Sequence, residues 1–468
     1  MQTKLKQAGL VAIGVLAGVL ISLNFSANAN KEANNPLPVE ELRSFADVFN
    51  AIKAGYVEPV EDKRLINNAI SGMLSNLDPH SAYLDADAFK DLQVGTQGEF
   101  GGLGIEVGME DGFVKVVSPI EDTPAFRAGI KAGDLIIKLD DTSVKGLTLN
   151  DAVKRMRGKP KTTITLTVSR KGETRPLIFT LTREVIKVQS VKSKLIEPGY
   201  GYVRVTQFQE GTTQYLVKHL NDLFKQGPMK GLVLDLRNDP GGLLHGAIGV
   251  SAAFLPPKSL VVSTDGRTED AKRKYFAISE DYLRGTREDY LKNLPAAVKT
   301  VPMVVLVNGG SASASEIVAG ALQDHKRAVV LGTQSFGKGS VQTILPLNNN
   351  TAIKLTTARY FTPSGHSIQA KGIEPDIKVE DTANGELGLR IREADLERHL
   401  DNPEGGGAPA KPKPEPQSKN DKTDKKDATK AKGEDEEAKT PFEIGGKNDY
   451  QLSQAMNLLK GLQIIQAK

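Results

Sequence analysis

Hydroxyl side chains and small residues are concentrated in the segment Gly309-Gly310-Ser311-Ala312-Ser313-Ala314-Ser315-Glu316. The segment follows the apolar run 301–307 and precedes the apolar segment 317–322, which predicts a turn from a strand into a helix. A hydroxyl at such a helix start lies at the positive end of the helix dipole, beside N–H groups that can bind a developing oxyanion. The segment therefore predicts a serine nucleophile, and the spacing alone leaves its three serines as alternatives.

A lysine that could serve as the base follows in Gly337-Lys338-Gly339-Ser340-Val341-Gln342. A lysine accepts a proton near neutral pH only when burial lowers its pKa by about three units from the ordinary value of roughly 10.4. The flanking glycines allow the backbone to approach closely, and the Gln342 amide can orient the amine without adding negative charge. Because serine and lysine form an established hydrolytic pair, we predict Lys338 as the general base.

A third segment offers backbone donors to the same chemistry. Residues 230–237 predict a buried strand, and they lead into Asn238-Asp239-Pro240-Gly241-Gly242, a turn that opens a helix. Two adjacent glycines there can present their N–H groups to a ligand.

At these residues the chain resembles the carboxyl-terminal processing proteases, also called tail-specific proteases, which are serine peptidases with a Ser-Lys-Gln site. The resemblance implies that Ser313, the middle serine of the run, is the nucleophile, that Lys338 is the base and that Gln342 is the third member. It also implies hydrolysis without a metal ion or cofactor.

The same resemblance implies that backbone N–H groups of Ala314 and of either Gly241 or Gly242 bind the oxyanion. Residues 186–400 alternate between predicted strands and helices, which is typical of an α/β domain with repeated crossovers. By resemblance, this protease core has a fold similar to that of ClpP and the crotonases.

Residues 93–185 resemble an inserted PDZ domain, with a glycine-rich loop at 100–104, a strand after it and a groove helix at 148–157. Such a loop binds a peptide carboxylate through backbone N–H groups, the strand pairs with the peptide, and an apolar pocket takes the last side chain. The residues expected to bind the peptide are Gly102, Leu103, Gly104, Ile105, Val107, Val153 and Met156.

The N-terminal region predicts export. Residues 1–29 combine Lys4 and Lys6, an apolar core and the small-residue pattern Ala27-Asn28-Ala29, as in a cleavable signal peptide. Retention as an inner-membrane anchor is the alternative, although the apolar core is short for a span of about 20 residues. Residues 30–92 then show helical periodicity. We expect a periplasmic protein.

The remaining composition limits the classes of partner. The chain has no cysteine, which excludes disulfides and thiolate chemistry, and its formal net charge of +4 over 468 residues does not favour nucleic acid. Residues 401–447 predict a disordered, charged linker, and the apolar stripe in residues 448–468 predicts a helix that docks on this protein or on a second subunit. We expect a homo-oligomer assembled through the terminal helices, and the resemblance suggests a lipoprotein adaptor.

Three other functions are alternatives to a Ser-Lys peptidase. Gly332 to Lys338 resembles a phosphate-binding loop, but Gly339 stands where that loop needs Ser or Thr. A serine hydrolase with a histidine base would use His325 or His245, and a noncatalytic PDZ scaffold would use neither. His80 is interpreted as a turn or packing residue. The sequence thus favours an exported serine endopeptidase that binds protein C-termini and forms an acyl-enzyme.

Overall fold

The computed structural model describes residues 37–120, 122–285, 288–383, 391–405, 444–446 and 448–466. The predicted leader, residues 1–29, and most of the predicted linker, residues 401–447, lie outside this part of the chain. The chain divides into two compact units between Ile70 and Ser71. Within the described residues, no helix combines the length and apolar character needed to cross a bilayer.

The regular elements are numbered in chain order. The helices are α1 Val39–Gly55, α2 Asp62–Ser75, α3 Ala86–Gln97, α4 Pro124–Arg127, α5 Leu149–Met156, α6 Thr212–Phe224, α7 Leu244–Phe254, α8 Ser279–Tyr282, α9 Ala314–Asp324 and α10 Tyr450–Gln466. The strands are β1 Ala82–Leu84, β2 Glu99–Gly102, β3 Ile105–Glu110, β4 Phe113–Pro119, β5 Leu135–Leu139, β6 Thr142–Ser143, β7 Thr163–Ser169, β8 Leu177–Thr182, β9 Glu184–Lys187, β10 Val191–Glu197, β11 Tyr200–Val205, β12 Gly231–Asp235, β13 Leu260–Gly266, β14 Arg273–Phe276, β15 Met303–Val307, β16 Val329–Gly332, β17 Ser340–Pro346, β18 Ala352–Phe361 and β19 Ile377–Lys378.

The N-terminal unit contains α1 and the first part of α2, so the helices predicted for this region are confirmed. Lys53 Nζ pairs with Asp62 Oδ1 at 2.7 Å and ties the end of one helix to the start of the next. The apolar residues of α1 recur at helical spacing, and Leu42, Phe45 and Val48 are all exposed. The helix therefore presents an apolar stripe at its surface.

The second unit contains a small β domain between β2 and β9, two antiparallel strands through which the chain enters and leaves it. Its sheet has the order β3-β4-β5-β7-β8, with β6 paired to β5. Val114, Ile136 and Leu166 have no exposed surface and form its core together with Ala152 and Met156 of α5. The predicted groove helix is α5.

The core of the second unit is a six-stranded sheet of order β10-β11-β12-β15-β16-β19. Only β10 is antiparallel to its neighbour, and the other pairs are parallel. Every residue of β12 and β15 is buried, which explains their continuous apolar sequences, because both faces of a parallel sheet are covered. Helices α6, α7 and α9 cover one face. The predicted α/β core with an inserted β domain is therefore confirmed.

Helix α10 covers the opposite face of this sheet. Leu452, Ala455, Met456 and Leu459 pack on side chains such as Val233, whose neighbours in β12 point to the other face. The predicted C-terminal helix is confirmed, and within this chain it docks on the chain's own core. Helix α10 thus covers the face of the central sheet that α6, α7 and α9 do not cover.

An antiparallel sheet of order β1-β18-β13-β14, with β17 also paired to β18, stands beside the core. Strand β1 lies within residues 30–92, for which only helices were predicted. It pairs with β18 in the register Ala82↔Lys354, a long-range contact with no local sequence signal. The loop from β16 to β17 joins the two sheets and carries Lys338.

Candidate active site

Ser313 lies between β15 and α9, at the predicted turn from strand to helix. Its backbone has φ +54° and ψ −110°, a conformation that residues with a side chain rarely adopt. The helix begins directly after it, since Ile317 N donates to Ser313 O at 2.9 Å. The fold therefore holds this serine in a strained position at a helix N-terminus.

The three serines of the run occupy different environments. The Ser311 hydroxyl donates to Leu236 O at 2.8 Å, and the Ser315 hydroxyl donates to Asp239 O at 2.9 Å. Both residues have no exposed surface, whereas Ser313 is 8% exposed. The hydroxyls of Ser311 and Ser315 are thus hydrogen-bonded to the backbone of the neighbouring loop.

Lys338 lies in the loop between β16 and β17, flanked by two glycines that the geometry requires. A Cβ on Gly339 would lie 2.3 Å from Gln369 N, and Gly337 has φ +98°. Burial lowers the pKa of Lys338 to about 8, and the positive charge of Lys354 acts in the same direction. A useful fraction of this amine is therefore neutral near pH 8.

Acidic neighbours oppose this effect. Glu393, Glu316 and Asp78 each favour the charged amine and limit the fall in its pKa. Asp78 accepts hydrogen bonds from the backbone N–H groups of His80 and Ser81 and from the hydroxyls of Ser81 and Thr356, and together these bonds outweigh burial and lower its pKa. Burial and one neighbouring cation thus lower the pKa of Lys338, and three acidic side chains raise it.

Glu316 joins the two segments that carry Ser313 and Lys338. Its Oε2 accepts the backbone N–H of Ser313 at 2.8 Å and that of Lys338 at 2.9 Å. Its Oε1 accepts Gly337 N and the Ser335 hydroxyl, both at 2.6 Å. Burial raises the pKa of Glu316 to about 7, against the effect of these four donors. One carboxyl group therefore fixes both loops.

Sequence reasoning did not assign this role to Glu316. A signal was present, because Ser313-Ala314-Ser315-Glu316 fits the capping-box pattern in which a Glu at the third helical position binds the N-cap backbone. That pattern does not reveal the contacts with residues 335–338.

Residues 238–242, here called the glycine loop, lie directly against the turn that carries Ser313. A Cβ on Gly241 would lie 2.9 Å from both Ala314 N and Ser313 Cβ. Gly241 N donates to Asp239 Oδ1 at 2.8 Å and is therefore engaged. Within the described residues, neither Gly242 N nor Ala314 N has a hydrogen-bond acceptor. Ala314 N is one of the first N–H groups of α9, which have no partner inside the helix. These two amides are the free donors of the predicted set.

Asp239 fixes the glycine loop to the turn that carries Ser313. Its backbone oxygen accepts Ala312 N at 3.0 Å as well as the Ser315 hydroxyl. Burial raises the pKa of its side chain to about 8. Its Oδ2 has no hydrogen-bond partner among the described residues, which agrees with a carboxyl group that is protonated at neutral pH.

Gln342, the third predicted member, lies on β17. Its Nε2 donates to Ser340 Oγ at 2.9 Å and to Thr356 Oγ1 at 3.3 Å. In the described part of the chain its amide is not hydrogen-bonded to Lys338, so its orienting role stays a prediction.

The histidines considered as alternative bases occupy other positions. His325 follows the end of α9, about 18 Å from Ser313 at about 1.5 Å per residue, and its Nε2 is 2.7 Å from Leu260 O. His245 Nε2 lies 3.1 Å from Glu210 Oε2, and burial lowers the pKa of this histidine. His80 is a turn residue that pairs with Glu393 at 2.8 Å.

The β domain contains a cavity of about 200 Å³ between the glycine-rich loop, β3 and α5. All the predicted peptide-binding residues line it, together with Phe100 and Arg157. The Arg157 guanidinium lies over the Phe100 ring, 4.7 Å from its centroid. The lining is mainly apolar.

The sequence matches known families over most of the described chain. Residues 199–379 match peptidase family S41, residues 101–181 match the PDZ domain, and residues 20–88 match the N-terminal domain of the activating protease CtpB. These matches coincide with the α/β core, the small β domain and the N-terminal region.

Curated relatives and a solved structure are also similar to this chain. The chain is 50% identical over 368 residues to the carboxy-terminal-processing protease of Bartonella bacilliformis, covering 78% of this chain and 80% of that one. It is 36% identical to the carboxy-terminal processing protease CtpA of Bacillus subtilis, covering 71% and 67%. The structure of a photosystem II D1 C-terminal processing protease is 30% identical, covers 72% of this chain and 92% of that one, and has a TM-score of 0.41.

The α/β core that matches peptidase family S41 and the β domain that matches the PDZ domain together define a PDZ-containing peptidase. The chain belongs to the carboxy-terminal processing proteases of peptidase family S41, which confirms the predicted resemblance.

Proposed function

We propose that this chain is a serine endopeptidase in which Ser313 attacks the substrate and neutral Lys338 removes the hydroxyl proton. The observation that carries the proposal is the shared carboxylate of Glu316, which binds the backbone of both residues. Two loops, one after β15 and one between β16 and β17, are thereby held in one arrangement, as a nucleophile and its base require.

The first step forms a bond between Ser313 Oγ and the substrate carbonyl carbon, while the hydroxyl proton moves to Lys338 Nζ. The N–H groups of Gly242 and Ala314 receive the oxyanion, because Gly241 N is bound to Asp239. Protonated Lys338 then gives its proton to the leaving amine, and an acyl-enzyme remains. Water activated by the same lysine releases the product.

The PDZ cavity supports recognition of substrates by their C-termini. An apolar last side chain fits a cavity lined by Leu103, Ile105, Val107 and Val153. The glycine-rich loop at 100–104 offers backbone N–H groups to the carboxylate. We infer that the chain captures proteins with accessible, apolar C-termini before cleavage.

We also propose that the PDZ domain influences the active site. Gly98, next to β2, lies so close to Gln209 that a Cβ would be 2.4 Å from its Oε1. The preceding residue, Phe208, accepts Leu243 N at 2.8 Å through its carbonyl oxygen and donates its N–H to Gly241 O at 2.9 Å. A short series of contacts therefore runs from the PDZ boundary to the glycine loop.

The proposed setting is the periplasm, where the enzyme would process or degrade envelope proteins. It rests on the leader pattern in residues 1–29. N-terminal sequencing of the mature protein tests cleavage after Ala29 against retention as an anchor. A homo-oligomer through the terminal helices and a lipoprotein adaptor remain predictions, which sedimentation of the mature protein and co-purification from membranes test.

The proposed chemistry is tested with an unstructured peptide that ends in an apolar residue. Ser313→Ala and Lys338→Ala are expected to lose nearly all cleavage, whereas His245→Ala, His325→Ala and the exposed Ser118→Ala should cleave normally. Loss of activity in a histidine variant with retention in Lys338→Ala would favour a histidine base. No cleavage by the wild type, with tight binding of the peptide, would favour the scaffold.

A further inference from the structure

Arg237 is the largest side chain with almost no exposed surface, and it connects the core to the C-terminal segment. Its Nη2 lies 2.6 Å from Asp235 Oδ2 and 2.5 Å from Asp449 Oδ2. Its Nη1 lies 2.8 Å from Asp449 Oδ1 and 3.0 Å from Gln451 Oε1. The contact with Asp449 is therefore bidentate, a geometry that fixes orientation as well as distance.

Asp449 also organises the segment to which it belongs. Its Oδ1 accepts Leu452 N at 3.1 Å at the start of α10, and its Oδ2 accepts Gly445 N at 2.7 Å. Burial opposes its ionisation, but the hydrogen bonds and charge of Arg237 hold its pKa below the ordinary value. The same carboxylate thus caps the last helix and binds the core arginine.

Arg237 lies between two contacts with the nucleophile turn. The carbonyl of the preceding residue, Leu236, accepts the Ser311 hydroxyl at 2.8 Å. The carbonyl of Asp239, two residues after Arg237, accepts Ala312 N at 3.0 Å. The arginine that binds the C-terminal segment therefore belongs to the short stretch that holds the glycine loop against Ser313.

We propose that docking of residues 444–466 onto the core positions the glycine loop for oxyanion binding, through the pairing of Asp449 with Arg237. When this segment leaves, Arg237 loses its three hydrogen bonds to Asp449 and Gln451, and one face of the central sheet loses its cover. Asp449 and Arg237 are positioning residues, and withdrawal of the segment is a way to lower activity. The inference rests on the proposed Ser-Lys mechanism.

Isosteric and truncating changes in the full-length protein test this inference. Asp449→Asn keeps the shape and the ability to cap a helix but places an N–H group against the guanidinium. Asp449→Ala removes the pairing altogether. Because oxyanion binding acts only in the transition state, both variants should lower kcat at least about tenfold and leave KM within about twofold. Labelling of Ser313 by a fluorophosphonate should slow in parallel.

Lys460→Met is the matched control, since Lys460 lies on the same helix as the Asp449 cap, α10, and the change breaks an exposed ion pair with Glu197 of β10. It should retain full kcat. Hydrogen exchange of residues 450–459 reports docking in each variant. The inference is overturned if both Asp449 variants keep kcat within twofold of the wild type, or if Lys460→Met loses as much.

Ser313→Ala in the same assay separates the two proposals. If it remains active, the proposed mechanism fails. If it is inactive while the Asp449 variants are fully active, only the role of the C-terminal segment fails.

Discussion

The backbone amides of Ser313 and Lys338 donate to a single oxygen, Oε2 of Glu316, over 2.8 and 2.9 Å. The two residues lie in separate loops, one after β15 and one between β16 and β17. A fully buried carboxylate is costly unless its hydrogen bonds are satisfied, and here four donors surround it. The cost of burying Glu316 is thus offset by bonds that fix the backbone of the proposed nucleophile and of its proposed base.

Replacing Glu316 with Gln should disrupt this alignment. The new amide nitrogen would face N–H donors in place of an acceptor, so unpaired buried donors remain. We expect kcat to fall by at least about a hundredfold and the free energy of unfolding to fall by roughly 2–4 kcal/mol. Steady-state kinetics and denaturant unfolding measure the two effects.

Glu269→Gln, at an exposed position, serves as the control and should change neither quantity. If Glu316→Gln kept wild-type kcat, the clamp would have no part in catalysis.

The pH dependence of cleavage follows from the pKa of Lys338, which is about 8. The active form is the neutral amine, so kcat/KM should rise with pH and level off above this value. Lys354→Met removes a positive charge that lowers this pKa, so the midpoint should move to higher pH. Activity at pH 7 should then decrease by less than about tenfold, since tenfold corresponds to a whole unit.

Lys326→Met, which removes an exposed lysine elsewhere, should leave the profile in place. A midpoint that moves to lower pH in Lys354→Met would contradict the electrostatic account.

Asp239 predicts a second pH effect, on stability. Its folded-state pKa of about 8 lies above its ordinary value of 3.8, so the folded protein binds the proton more tightly than the unfolded chain. Stability from this group is therefore fully present below about pH 4 and is lost as the pH rises through 8. Asp239→Asn resembles the protonated form and should stabilise the protein by at least about 1 kcal/mol at pH 8.

Thermal unfolding at pH 5 and at pH 8 measures this difference, with the exposed Asp265→Asn as the control. An equal effect of Asp239→Asn at both values would show that Asp239 is ionised throughout.

The sequence predicted those parts of the protein whose signals are local. The strand-turn-helix pattern around Ser313, the glycines flanking Lys338 and the groove helix with Val153 all depend on neighbouring residues, and each element is found at its predicted place. The resemblance to a known family separated the three serines, which the spacing alone did not.

The contacts that the sequence did not predict join distant segments. Nothing near Ala82 indicates that it pairs with Lys354, and nothing near Arg237 indicates that Asp449 binds it. Spacing also does not show that Asp239 engages Gly241 N. Such contacts depend on the tertiary fold, where residues far apart in sequence meet.

The PDZ cavity predicts a substrate-dependent effect. Val153→Arg should fill the apolar cavity and raise KM at least about tenfold for a substrate with an apolar C-terminus, because a buried charge there is unpaired. A short peptide that does not reach the PDZ domain should keep its KM. Lys154→Met, the adjacent residue of α5 that pairs with Asp87, is the control.

If the two substrates responded equally to Val153→Arg, the cavity would not be the site of tail recognition. Activation of short-peptide cleavage by an added tail peptide, lost in Val153→Arg, is expected from coupling between the PDZ domain and the glycine loop. Unchanged cleavage would limit the domain to capture.

The proposed mechanism requires that the Lys338 amine is neutral when it meets the Ser313 hydroxyl. Nuclear magnetic resonance titration of lysine carbon-13 at Cε, assigned by comparison with Lys338→Met and performed on the Ser313→Ala protein, measures its pKa directly. We expect a midpoint near 8, because burial lowers the pKa of this amine. A midpoint at the ordinary value of roughly 10.4, in a protein whose wild type cleaves fully at neutral pH, would contradict it.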